Sequence, residues 1–195
     1  MEELIQNILN KDKKIKKMNN LIKDNKKLLL SGVHKKSNSF FLYNNFKNID
    51  NHLLVVVENK QQALDLEDEL KTFTDDVSYF PKKEIMFFDS YAHSKSLENQ
   101  RLEILNELLT YKKKIVITTA QTIVMRMIPR NIFKKNIEVI NLNSIINIEN
   151  FREKLHHLGY EETHMVINKG YFSIRGGIID VYPIHLDNPI RIELF

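Results

Sequence analysis

Three short apolar runs, each separated from the next by a helical pattern, set the narrowest limits on the fold. Leu53-Leu54-Val55-Val56-Val57 is uninterrupted and rich in β-branched residues, as expected of a strand buried on both faces. Residues 60–73 then place Ala63, Leu64, Leu66, Leu70 and Phe73 at helical spacing. Val77 to Phe80 is a second strand, closed by Pro81. A helix over 96–110 turns Leu97, Ile104, Leu105, Leu108 and Leu109 inward, and Ile115-Val116-Ile117-Thr118-Thr119 is a third strand. A short helix from Gln121 follows and ends near Pro129. Strand, helix, strand, helix, strand predicts an α/β domain with a parallel sheet, since parallel neighbours are joined by crossovers long enough to hold a helix.

The pattern changes beyond this point. Ile137 to Ile140 reads as a strand, and Asn147 caps a helix carrying Ile148, Phe151, Leu155 and Leu158 on one stripe. Gly159 stands where a left-handed C-terminal cap belongs. Two extended segments follow, 172–182 and 190–195, joined by a turn with Pro183, Asn188 and Pro189. Their alternation fits an antiparallel sheet with one wet face. The expected division is an α/β domain over 1–136 and a small α+β domain over 137–195. The second ends on a strand pattern, as a piece of a longer protein would.

Composition excludes several classes. The chain of 195 residues is 43% hydrophobic and 28% charged, suited to one large or two small cores. No run approaches the length of an apolar membrane span, and the opening Met1-Glu2-Glu3 is acidic, unlike a secretory signal. The absence of cysteine excludes disulfides and thiolate metal sites and is compatible with a cytoplasmic location. Seven histidines show no ligand spacing: His156-His157 point apart on a helix, and His34, His52, His93, His164 and His185 are scattered singly. No metal site is expected.

The net charge of +4 is local in origin. Residues 11–27 hold eight lysines against Asp12 and Asp24, within one or two helices spanning 1–30. Such a run is either a solvated helix surface or a phosphate-contacting patch that releases counterions from nucleic acid. No aromatic side chains interleave to stack on bases, so a single-strand groove is not supported.

A nucleotide site would be sought at the first turn before a helix. A P-loop needs Gly-x-x-x-x-Gly-Lys-[Ser/Thr], whose glycines let backbone N–H groups close on phosphates and whose lysine neutralises them. The sequence offers Gly32-Val33-His34-Lys35-Lys36-Ser37-Asn38-Ser39. Gly32 and Ser39 fit the frame, but Ser37 replaces the second glycine and Asn38 the lysine. No acidic pair at a strand end offers itself to magnesium, since Asp65, Glu67, Asp68 and Glu69 lie in a helix pattern. The expectation is a dead site and no cofactor.

Three stretches resemble one family. Phe87-Phe88-Asp89-Ser90-Tyr91 with Gln100-Arg101-Leu102-Glu103-Ile104-Leu105, and then 115–129, resemble segments of the bacterial transcription-repair coupling factors (Mfd) that follow their degenerate P-loop. More specific is Gly159-Tyr160, the run Gly170-Tyr171-Phe172-Ser173-Ile174-Arg175-Gly176-Gly177-Ile178-Ile179-Asp180-Val181-Tyr182-Pro183, and Pro189-Ile190-Arg191-Ile192-Glu193-Leu194-Phe195. That motif is shared with the excinuclease component UvrB, and the broken P-loop separates the two, UvrB being an ATPase with an intact one. The resemblance covers about residues 25–195. It implies a degenerate helicase-like (RecA/P-loop-type) first domain and a second domain, without chemistry of its own, that binds the nucleotide-excision-repair protein UvrA. It implies further that the full-length protein is a DNA translocase using ATP and Mg, with RNA polymerase and double-stranded DNA bound by domains outside this chain.

Alternation in the last strand puts Ile190, Ile192 and Leu194 on one side and Arg191, Glu193 and Phe195 on the other. An arginine and a phenylalanine about 13 Å apart on an outer face have the composition of an interface hot spot. Arg175 points opposite to Ile174, and Gly176-Gly177 allows a bulge or a close backbone approach. Arg175 in a local ion pair, with Phe195 tucked under further residues, is the plainer alternative. The resemblance implies that Arg175, Arg191 and Phe195 contact UvrA. Two other readings compete: a UvrB-like ATP-dependent excinuclease fragment, and a basic DNA-binding module led by 11–27.

Overall fold

A computed structural model describes residues 13–24, 27–32, 37–83, 91–109 and 113–195. The chain forms two compact units. One takes in the described residues up to Lys82 together with Leu108–Ile123; the other takes in Lys83–Glu107 and Val124–Phe195.

In the first unit, α1 (Lys13–Lys23) and α2 (Asn38–Asn48) precede β1 (Leu53–Val57), α3 (Lys60–Lys71), β2 (Val77–Tyr79), β3 (Ile115–Thr119) and α5 (Ala120–Ile123). The strands form a parallel sheet in the order β1-β3-β2. β3 is central, and every residue in it is buried. β1 differs from the sequence expectation. It lies at the sheet edge, and Leu54 and Val56 are 58% and 48% exposed while Leu53, Val55 and Val57 pack inward. A β-branched run marks a strand but does not by itself say that both faces are covered.

The core of this unit joins Tyr43 and Phe46 of α2 to Ala63 and Leu70 of α3, and to Val77, Tyr79, Ile115 and Ile117 of the sheet. Asn59 accepts a hydrogen bond from the Gln62 N–H (3.0 Å) and so fixes where α3 starts. The Lys113 ammonium donates to the Phe46 and Ile49 carbonyls at 2.6 and 2.8 Å. A cation there satisfies carbonyls left over at the C-terminus of α2 and complements its dipole. α2 carries no strong stripe in the sequence and was not among the expected helices.

The second unit holds α4 (Tyr91–Leu109) as far as Glu107, then α6 (Arg130–Lys135), α7 (Ile148–His157), β4 (Glu161–Glu162), β5 (Tyr171–Arg175), β6 (Ile178–Val181) and β7 (Ile190–Glu193). Residues 83–107 and 124–136, which the sequence groups with the first domain, therefore fall in this unit. Ion pairs Lys169–Glu103 and Lys83–Glu98, both 3.6 Å, join parts of it that are distant in sequence. The strand expected over Ile137–Ile140 does not form.

The helix after Asn147 is as expected. The Asn147 side chain accepts from the Asn150 N–H at 3.0 Å, and Gly159 takes φ +84 beyond the helix end. Phe151 and Leu155 of α7 meet Phe172, Ile179 and Val181 in a buried cluster, with Ile192 and Leu194 at its margin. Leu158, on the same sequence stripe as Phe151 and Leu155, and Ile190, on the same side of its strand as Ile192 and Leu194, lie outside this cluster; Ile190 is 40% exposed.

Candidate docking face

The sheet of the second unit runs β4-β5-β6-β7, with β4 parallel to β5 and the remaining pairs antiparallel. The extended segment expected over 172–182 is in fact two strands. It folds back at Gly176-Gly177, so Arg175 and Ile178 become partners across a tight hairpin. Gly176 adopts φ +59, which suits glycine. A Cβ on Gly177 would come within 3.0 Å of the Leu194 carbonyl oxygen, and the Leu194 N–H donates to the Gly177 carbonyl at 2.9 Å. The second glycine thus provides the close approach of the hairpin to the strand end that follows β7.

Register then sorts the side chains into rows. Ser173, Asp180 and Arg191 are cross-strand neighbours, and so are Arg175, Ile178 and Glu193. These rows share one face because successive residues of a strand point to opposite sides. The other face holds Phe172, Ile179 and Val181, all buried.

Asp180 organises the outer face. Its two oxygens accept from Arg191 Nε at 2.7 Å and Arg191 Nη2 at 3.0 Å, a bidentate pair, and Oδ2 also accepts from Arg175 Nη2 at 3.1 Å. The Asp180 side chain is only 15% exposed, whereas those of Arg175 and Arg191 are 65% and 55% exposed. Hydrogen bonding from Arg191, with its charge and that of Arg175, lowers the Asp180 carboxyl below the usual carboxylate range, against the opposing effect of desolvation. The same hydrogen bond raises the Arg191 guanidinium.

Two of the three expected contact residues are thus brought together, through an acid to which the sequence pattern alone assigns no role. Phe195 lies two residues beyond Glu193 with its ring fully exposed, and no hydrogen bond or ring contact joins it to either arginine among the described residues. Asp180 is the one charged residue in the run Ile178–Val181, and a strand otherwise apolar is the signal that could have flagged it. Arg175 donates one hydrogen bond to Asp180 and Arg191 donates two, so Arg175 keeps more of its donor fork open to a partner. Ile178, 37% exposed, supplies an apolar centre between Arg175 and Glu193.

At the other sequence-predicted site, Gly32 adopts φ +75, and a Cβ there would meet nothing within 4 Å. Glycine at this position relieves backbone strain and makes no close approach. Residues 33–36 lie outside the described residues. Ser37 precedes α2 without a side-chain cap, Asn38 opens the helix exposed, and Ser39 is buried at 4%. No strand leads into Gly32 among the described residues. The residues present do not match what a triphosphate needs, a lysine at the helix start and a hydroxyl open to a cation. Among the described residues no group of His, Asp and Glu is placed to hold a metal. No described helix is long and apolar enough to cross a membrane.

The class of the second unit follows from this sheet and its motif: residues 139–195 match the family described as the UvrB interaction domain. The chain as a whole is 31% identical over 180 residues to the transcription-repair-coupling factor of Bacillus subtilis (strain 168), covering 91% of this chain and 15% of that protein. It is 26% identical over 197 residues to the transcription-repair-coupling factor of Staphylococcus haemolyticus, covering 100% of this chain and 17% of the relative. The Staphylococcus aureus (strain MRSA252) protein of the same name is 28% identical over 169 residues, 86% of this chain and 14% of the relative. Together these matches support an N-terminal module of a transcription-repair-coupling factor. The chain spans about one sixth of the length of these relatives. They do not favour the reading as a UvrB excinuclease fragment.

Proposed function

We propose that this chain is a docking module that recruits UvrA through the outer face of the β5-β6-β7 sheet. The observation that carries the reading is the exposed Arg175–Asp180–Arg191 cluster, built inside the stretch that matches the UvrB interaction domain. Asp180 and Glu193 balance the two guanidiniums in charge on this face, so the attraction is local: the donors of Arg175 that Asp180 leaves open would be completed by carboxylates on UvrA. Phe195, on the same side of the last strand as Arg191 by alternation, adds an apolar anchor of the kind found at interface hot spots.

In this reading the first unit is a degenerate helicase-like α/β domain whose nucleotide site is inactive, because Ser37 and Asn38 replace the glycine and lysine of a P-loop. Neither ATP nor Mg is a cofactor of this chain. In the full-length protein, an ATP-dependent DNA translocase, other segments engage RNA polymerase and double-stranded DNA, and this module brings UvrA to polymerase stalled at damage. Calorimetric titration of the chain with purified UvrA tests the proposal. Saturable binding that Arg175→Glu abolishes in a folded protein supports it. Absence of binding by the unaltered chain, or unchanged binding by that variant, overturns it.

A further inference from the structure

We propose that α1 presents a lysine stripe that binds the phosphate backbone of a nucleic-acid duplex, separately from the docking face. Residues 11–27 carry eight of the chain's 29 basic side chains and two of its 25 acidic ones. The rest, with 21 against 23, is slightly acidic, so the positive charge of the molecule is concentrated in this segment. Within the described helix, Lys13, Lys16, Lys17 and Lys23 are exposed, and with Asn20 and Asp24 they fall within about a third of its circumference at 3.6 residues per turn. They extend about 15 Å along the axis at 1.5 Å per residue. Asp24, at one end, is the single acidic residue on that arc. No ion pair joins these four lysines to a carboxylate among the described residues.

The opposite side of α1 argues against a lipid surface. Met18 is buried at 6%, and Ile15, Leu21 and Ile22 are half-buried, so the apolar face is occupied by the fold and little is left to enter a bilayer. No aromatic residue occurs in 13–24 to stack on unpaired bases, and Asn20 is the single amide on the lysine arc. What remains is a line of flexible point charges, which matches a regular row of phosphates and carries no sequence preference.

The test is fluorescence anisotropy of a short labelled DNA duplex titrated with the whole chain at several salt concentrations. Neutralisation of about four phosphates gives a log–log salt slope of roughly −3 to −4, hence roughly a hundredfold weakening between 50 and 200 mM salt. Replacing Lys13, Lys16, Lys17 and Lys23 by Gln should remove most of that slope and leave the circular dichroism spectrum unchanged. If the quadruple variant is misfolded, the double variant Lys13→Gln/Lys16→Gln serves, and should lower the slope by about 2. A folded variant that binds duplex as the parent does, or a parent chain that binds phosphatidylglycerol vesicles but not duplex, overturns the proposal.

Discussion

Arg191 and Asp180 face each other directly across the β6–β7 ladder, and the guanidinium meets both carboxylate oxygens, at 2.7 and 3.0 Å. Arg175 reaches the same carboxylate from the other neighbouring strand. The two arginines are consequently not equivalent: Arg191 is the more committed within the sheet, and Arg175 the more available.

This asymmetry sets the first prediction. Arg175→Ala should weaken UvrA binding by roughly thirtyfold, the equivalent of about 2 kcal/mol, with thermal stability close to that of the parent. Arg191→Ala should weaken binding and also lower the melting temperature, since it strips Asp180 of its bidentate partner. Titration paired with thermal unfolding checks both. Equal stability losses in the two variants would contradict the difference in their ion pairs.

Phe195→Ala should reduce UvrA affinity without altering the melting temperature, because its ring is fully exposed. Phe172→Ala should behave in the opposite way. Its ring is wholly buried against α7, and truncation of such a side chain costs about 3–5 kcal/mol. Denaturant unfolding distinguishes a surface anchor from a core residue in this pair.

The Asp180 carboxyl has a folded pKa held below its unfolded value, so its contribution to stability is fully present above about pH 4. The unfolded chain takes up the proton first as the pH falls, and the contribution is lost through the acid range below that point. Asp180→Asn should lower the melting temperature at neutral pH and flatten its dependence below about pH 4. Melting curves across that range provide the check; parallel curves for parent and variant would show that the ion pair contributes nothing to stability.

Gly177→Ala should destabilise the second unit by about 1–3 kcal/mol, because the added methyl would press on the Leu194 carbonyl oxygen at 3.0 Å. Guanidinium chloride unfolding measures the loss, and UvrA binding should fall with it as β7 shifts away from the hairpin.

Much of this architecture is legible in the residues alone. Periodicity locates β1, β2, β3, α3 and α7, since each has a strong apolar repeat or a capping asparagine. The failures have physical causes. Ile137–Ile140 has the composition of a strand but gains no strand partner among the described residues, and β-propensity without pairing does not make a sheet. The hairpin at Gly176-Gly177 is hidden in the sequence because two glycines are compatible equally with a bulge and with a two-residue turn. At the candidate docking face, alternation places Arg191, but the part played by Asp180 depends on cross-strand register, which a single strand does not reveal. The ion pair considered as a plain alternative for Arg175 does form, and it leaves most of that side chain exposed.

The shared carboxylate also bears on the entropy of association. A free arginine side chain loses about 2 kcal/mol of rotamer freedom when it is fixed against a partner. Here much of that ordering is accomplished as the domain folds, with Arg191 held at two points and Arg175 at one. A partner meeting this face encounters guanidinium groups already oriented. The complex should therefore gain its tightness chiefly from slow dissociation, while net charge governs how quickly the two surfaces find each other.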